Sequence, residues 1–194
     1  MIYCLTKLID KINSTVMQMK VLFSAFMELV VYVCISGVIS NVVGYLVPRN
    51  NINADSFPYK SFSWEHNGEV YDRINVRKWK NKVPDLSRYV NFLYKKHLES
   101  RPTSEQLDRL IRESCVAEFV HIMLIVATPL CYLSIDSGYS LLFSVLYALG
   151  NLPYIIIQRY NRPTFKRIYV KLLEKEKSTI DLGGKSIESA DIVL

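Results

Sequence analysis

A chain of 194 residues with a formal net charge of +6 is half hydrophobic, and its apolar residues are gathered into long runs separated by charged segments. Such segregation argues against a single soluble core and against a disordered chain, and it points to membrane-spanning helices. The total charge says less than its distribution: lysine and arginine number three in residues 1–20, thirteen in 48–115, none in 134–139 and eight in 158–194.

In residues 1–20, Ile2, Leu5, Leu8, Ile9, Ile12 and Val16 recur at helical spacing, which predicts an amphipathic N-terminal segment leading into the first span. Residues 21–47 form that span, interrupted by the single charge Glu28 and ended by Pro48. Glu28 falls towards its outer end, where it pairs or snorkels. Lys7, Lys11 and Lys20 resemble the basic flank of a signal peptide, but the apolar run exceeds the usual core of about 7–15 residues, so a retained anchor is expected.

Residues 48–115 read as a cytoplasmic interfacial segment. Asn67-Gly68 signals a type I′ turn that would fold Phe62-Ser63-Trp64 back onto Val70-Tyr71 as a hairpin. Trp64, and Trp79 flanked by Arg77, Lys78, Lys80 and Lys82, suit a headgroup layer where rings and cations both find partners. His66 and His97 are expected at the surface. Thr103 and Gln106 form a capping box that starts a helix with Leu107, Leu110, Ile111, Cys115 and Phe119 on one side.

Residues 116–157 are expected to form a transmembrane helical hairpin. Its first arm carries Glu118 and His121, its connection lies at 134–138, and its second arm, 140–157, has no charge over eighteen residues. That run stops against Gln158-Arg159-Tyr160-Asn161-Arg162-Pro163. A basic helix over 158–177 and a flexible tail over 178–194 complete the chain. The class predicted is mainly α: a helical integral membrane protein with three transmembrane helices and a small cytoplasmic α+β segment. The basic residues place 48–115 and the tail inside and the 134–138 connection outside.

Ionisable groups within spans are costly, so Glu118 and His121 are the candidate chemistry. Three residues apart, they share a helix face, and His121 falls about 7–8 Å below the cytoplasmic boundary, close to the depth of Asn151 at about 9 Å in the next span. A carboxylate-held imidazole can take a proton from a hydroxyl nucleophile. Asn151 could hydrogen-bond the developing oxyanion. The same residues could instead lock the helices together. Arg159 and Arg162 could grip a phosphate or serve as ordinary headgroup anchors, and Trp64, Trp79 and Lys80 would support the lipid-facing mouth of a site. One Glu-x-x-His without a second copy does not make a di-iron bundle, and no Gly-x-Ser-x-Gly, Walker A or Gly-x-Gly-x-x-Gly string occurs. No metal, cofactor or nucleic-acid partner is expected. The four cysteines form no CxxC pair and read as small buried apolar residues.

Three blocks carry a resemblance: Val76-Arg77-Lys78-Trp79-Lys80 with Pro84-Asp85; Ala117-Glu118-Phe119-Val120-His121; and Asn151-Leu152-Pro153-Tyr154-Ile155-Ile156-Ile157-Gln158-Arg159-Tyr160-Asn161-Arg162-Pro163. With Lys60-Ser61-Phe62, Gly68, His97-Leu98 and Glu113, they resemble the glycosyl-4,4′-diaponeurosporenoate acyltransferase family over residues 55–170. The resemblance implies a multi-pass enzyme of a bacterial cell membrane. Such an enzyme moves a fatty acyl group, from a donor such as an acyl thioester, to the sugar hydroxyl of a glycosylated carotenoid acid of a staphyloxanthin-type pathway. The longer N-terminal part and the residues after Lys177 depart from the family pattern, which leaves a related glycolipid open as acceptor. A non-enzymatic membrane protein that scaffolds a lipid-modifying complex is the alternative that the spans and basic segments also allow.

Overall fold

The computed structural model describes residues 2–84 and 102–190; His97 and Asp85 fall outside them. Helix α1 spans Ile2–Leu46, and a short turn of 3₁₀ helix follows at Arg49–Asn51. A second 3₁₀ segment covers Ser63–Ile74, then α2 (Val76–Trp79) and a turn at Lys80–Lys82. Helices α3 (Ser104–Val126), α4 (Thr128–Ser134) and α5 (Ser140–Ala190) complete the order, α5 continuing well past residue 177. Helices α1 and α5 are each long and apolar enough to cross a membrane. Helices α3 and α4 meet that requirement only together, bent by 43° at their junction, so the described residues hold two candidate spans, or three if the bent pair counts as one. Pro129 in the first turn of α4 accounts for the break: it has no N–H to continue the ladder and disfavours helical backbone before it.

The chain divides into two units. In the first, α1 is joined by residues 119–152. Ala25 packs with Cys131, Ile135 and Phe143, and Leu29, Tyr32, Tyr139 and Tyr147 surround them. Tyr32 donates to the Ala127 carbonyl (3.0 Å), and its ring meets Tyr147 edge-on at 5.1 Å. The Glu28 carboxylate accepts from the Asp136 backbone N–H (3.0 Å) and from Ser24 (3.3 Å), tying the α4–α5 turn to the middle of α1. The opposite side of α1 exposes valine, isoleucine and leucine along its length, as a lipid-facing helix does.

The second unit contains residues 48–118 and the chain from Pro153 onward. The expected capping box forms, with Gln106 N donating to Thr103 Oγ1 (3.2 Å) and Thr103 N to Gln106 Oε1 (2.9 Å). Leu107, Leu110, Ile111 and Cys115 of α3 are buried, Ile111 and Cys115 packing with Ala54, Ile52, Tyr59, Phe165 and Tyr169.

The expected α+β segment is not found: no strand occurs among the described residues. The Asn-Gly signal for left-handed backbone is real, since His66, Asn67 and Gly68 all have positive φ, at 46°, 55° and 96°. Helical turns rather than strands flank it. The Glu65 side chain takes the Phe62 N–H (2.7 Å) and is itself held by Arg159, so the segment is fastened through side chains to α5 instead of through a cross-strand ladder. A side chain at Gly68 would stand 3.4 Å from the Tyr160 carbonyl oxygen and 3.7 Å from that of Arg159. Pro163 lies four residues after Arg159 and lacks the N–H that would have used the latter carbonyl.

Candidate active site

Two polar clusters occupy helices that are otherwise apolar, one in each unit. In the second unit, Arg159, Arg162, Glu65 and Glu118 form a buried quartet, none of them more than 9% exposed. Arg159 donates through Nε and Nη2 to the two Glu65 oxygens (2.5 and 2.9 Å), through Nη1 to Glu118 and the Pro58 carbonyl, and through Nη2 to the Lys60 carbonyl. All five of its N–H groups are thereby directed at acceptors of this chain. Arg162 donates to the other Glu118 oxygen, to Ser114 Oγ (2.8 Å), to the Ser114 carbonyl (3.1 Å) and to the Tyr59 carbonyl (2.7 Å). Two cations and two carboxylates balance, which is the condition for keeping such charges out of water.

Glu65 also accepts from the Tyr71 hydroxyl. Burial pushes its carboxyl upward, but hydrogen bonds from Arg159, Tyr71 and the Phe62 N–H outweigh it and hold the group below the usual carboxylate range. Burial and the Glu65 carboxylate push the Tyr71 phenol above its ordinary value. Arg159 lies over the Phe62 ring at 4.5 Å, and Phe62 stacks on Trp64, which is 57% exposed. Trp79 donates to the Ile74 carbonyl (3.0 Å). Lys80 binds Asn161 Oδ1 (2.8 Å) over the Tyr160 ring, and burial together with Arg77 lowers its pKa.

In the first unit, His121 Nδ1 lies 2.9 Å from Asn151 Oδ1. Asn151 Nδ2 donates to the Tyr147 carbonyl (2.9 Å), which turns the amide oxygen towards the ring. An amide oxygen only accepts, so Nδ1 carries the proton and Nε2 is the basic nitrogen of the neutral ring. Tyr147 in turn donates to Ser36 Oγ (3.2 Å).

Of the residues singled out in the sequence, the structure therefore joins Glu118 with Arg159 and Arg162, and His121 with Asn151. Glu65 was missed. Its signal was the demand of two arginines at the end of an apolar helix for carboxylates, and residues 48–115 offer several of nearly equal standing.

The glycosyl-4,4′-diaponeurosporenoate acyltransferase family model matches residues 55–171. A protein of that name from Staphylococcus aureus (strain N315) is 30% identical over 129 residues, 65% of this chain and 76% of its own length. Its namesake from Staphylococcus haemolyticus (strain JCSC1435) is 28% identical over 123 residues, 62% of this chain and 71% of its own. No solved structure matches. With the family model covering more than half of the sequence and such relatives beside it, the chain belongs to the glycosyl-4,4′-diaponeurosporenoate acyltransferase family and is an acyltransferase.

Proposed function

We propose that this chain esterifies a fatty acyl group onto a sugar hydroxyl of a glycosylated carotenoid acid or related glycolipid in the membrane, with His121 as general base. The observation that carries the reading is the oriented imidazole: Asn151, itself held by Tyr147, fixes the proton on Nδ1, so Nε2 is the nitrogen that can take up a proton. Nε2 takes the proton of the acceptor hydroxyl as its oxygen attacks the carbonyl of an acyl thioester. The carbon–sulfur bond then breaks, and the leaving thiolate recovers the proton from the imidazolium. In this reading Asn151 orients the base. Glu118 with Arg159, Arg162 and Glu65 forms the anchored frame of the second unit, and Trp64, Trp79 and Lys80 supply an interface for an amphiphilic substrate.

The test is turnover per correctly inserted molecule with a glycosylated polyene acid and a labelled acyl thioester. His121→Gln keeps a hydrogen-bonding side chain but cannot take up a proton near neutrality, so turnover should fall by about 10²-fold or more. Near-normal turnover of that variant would return His121 to a helix-locking role.

A further inference from the structure

Arginines that follow a span ordinarily reach out to the headgroups, but Arg159 and Arg162 do not. They are 9% and 3% exposed and are paired inward with Glu65 and Glu118. The uncharged run of α5, residues 140–157, still ends just before them. In a helix that crosses a membrane, the first polar turn after such a run lies at the edge of the hydrocarbon. Since the two guanidinium groups are turned inward, other side chains must meet the lipid at that level.

The segment that Arg159 holds against this turn supplies them. The Phe62 ring lies against the guanidinium at 4.5 Å, and Trp64 stacks on Phe62 with ring centroids 6.1 Å apart and planes 14° apart. At the other end of the segment a side chain at Gly68 would stand 3.4 Å from the Tyr160 carbonyl oxygen, so the same turn of α5 fixes both ends. The inner edge of the stack is covered, because Tyr71 meets Trp64 edge-on at 6.4 Å. Its outer side is open: Phe62 is 39% and Trp64 57% exposed. Among the described residues no acceptor takes the Trp64 indole N–H. Over residues 57–84 the exposed charges are Lys60, Arg73, Arg77, Lys78 and Lys82 against Glu69 and Asp72, an excess that complements an anionic leaflet. An open aromatic face with a polar tip, at the end of an apolar run and among cations, is the chemistry of a membrane interface.

We propose that the Phe62–Trp64 stack inserts into the bilayer leaflet at the level of Arg159 and anchors the second unit to an anionic lipid surface, while Trp79 stays on the aqueous side. Trp79 differs from Trp64 in each respect that matters. It is half-buried, its indole N–H is taken by the Ile74 carbonyl (3.0 Å), and its neighbours in the chain are Arg77, Lys78, Lys80 and Lys82, which resist entry into hydrocarbon. The buried ion network thus has a second consequence: it frees this level of α5 from charge and gives the contact with lipid to two rings. The docking holds whichever residue acts as base.

The experiment uses the full chain, without substrate, in nanodiscs of phosphatidylcholine and phosphatidylglycerol. Trp64 and Trp79 are the two tryptophans of the sequence, so Trp79→Phe reports Trp64 alone and Trp64→Phe reports Trp79 alone. Lipids brominated on the upper part of their acyl chains should remove most of the Trp64 emission and little of the Trp79 emission, and iodide in the buffer should do the reverse. Bromine near the chain ends should quench Trp64 less, since an interfacial ring enters only about 5–10 Å. The wild type, which carries both reporters, should lose an intermediate share to brominated lipid and serves if a single-tryptophan variant does not assemble; an unquenched wild type overturns the proposal. Quenching of Trp64 by iodide but not by brominated lipid also overturns it. Resistance of Trp64 to both quenchers would show a protein cover over the stack, and equal quenching of the two tryptophans by brominated lipid would leave no selective anchor; either result overturns the proposal.

Discussion

At the scale of single residues, Arg159 has all five N–H groups bonded within the chain, and a phosphate could reach it only by displacing Glu65, Glu118 or a backbone carbonyl. Removing one member of a buried ion network typically costs about 3–5 kcal/mol because its partner is left uncompensated. Arg159→Lys, which keeps the charge but loses the planar fork, should therefore lower the thermal unfolding midpoint of the protein in detergent. Unaltered melting with weakened binding of an anionic donor would instead assign Arg159 to anion capture. Glu65 adds a pH dependence. Its carboxyl binds protons less tightly folded than unfolded, so its contribution is complete above the ordinary carboxylate pKa of about 4.3 and is lost as pH falls through the lower folded value. Below about pH 4 the wild type should lose stability more steeply than Glu65→Gln, measured as the slope of unfolding midpoint against pH.

At the scale of elements, the segment Ser63–Ile74 shows where sequence reasoning reached and where it stopped. Asn67-Gly68 announced a left-handed turn because few residues other than glycine and asparagine adopt positive φ cheaply, and the turn is there. Strands did not follow, because the fastening is a carboxylate that finds an arginine 94 residues away, a contact that no local pattern encodes. The same contrast governs the candidate site. His121 and Asn151 could be matched from their depths along two apolar runs, whereas Glu65, the second carboxylate of the arginine cluster, depended on the tertiary path of residues 48–65. Span and cap signals, which depend only on composition and on residues three apart, were the legible part. Gly68→Ala should be destabilising by about 1–2 kcal/mol, from its positive φ and the closeness of the Tyr160 carbonyl, whereas Gly138→Ala, with open space around it, should change little. Chemical unfolding of the two variants provides the comparison.

For the molecule as a whole, the basic residues predict that the α4–α5 turn lies outside while residues 48–115 and the chain after 158 lie inside. In a cysteine-free background, an impermeant thiol reagent applied to intact cells should label Ser137→Cys and spare Lys78→Cys and Val170→Cys; labelling at 78 or 170 would invert the map. The tie between Glu28 and Asp136 then makes α1 a ruler. Forty-five residues of helix measure about 67 Å, more than twice a hydrocarbon thickness of about 30 Å. From Glu28 to Leu46 the helix rises about 27 Å, which is close to one crossing. If the turn lies at the membrane surface, as the basic residues predict, the part of α1 well ahead of Glu28 is predicted to extend beyond the hydrocarbon. On that prediction its first twenty residues, with Lys7, Lys11 and Lys20, would answer to the world outside the bilayer, and one carboxylate would mark how far along α1 the crossing starts.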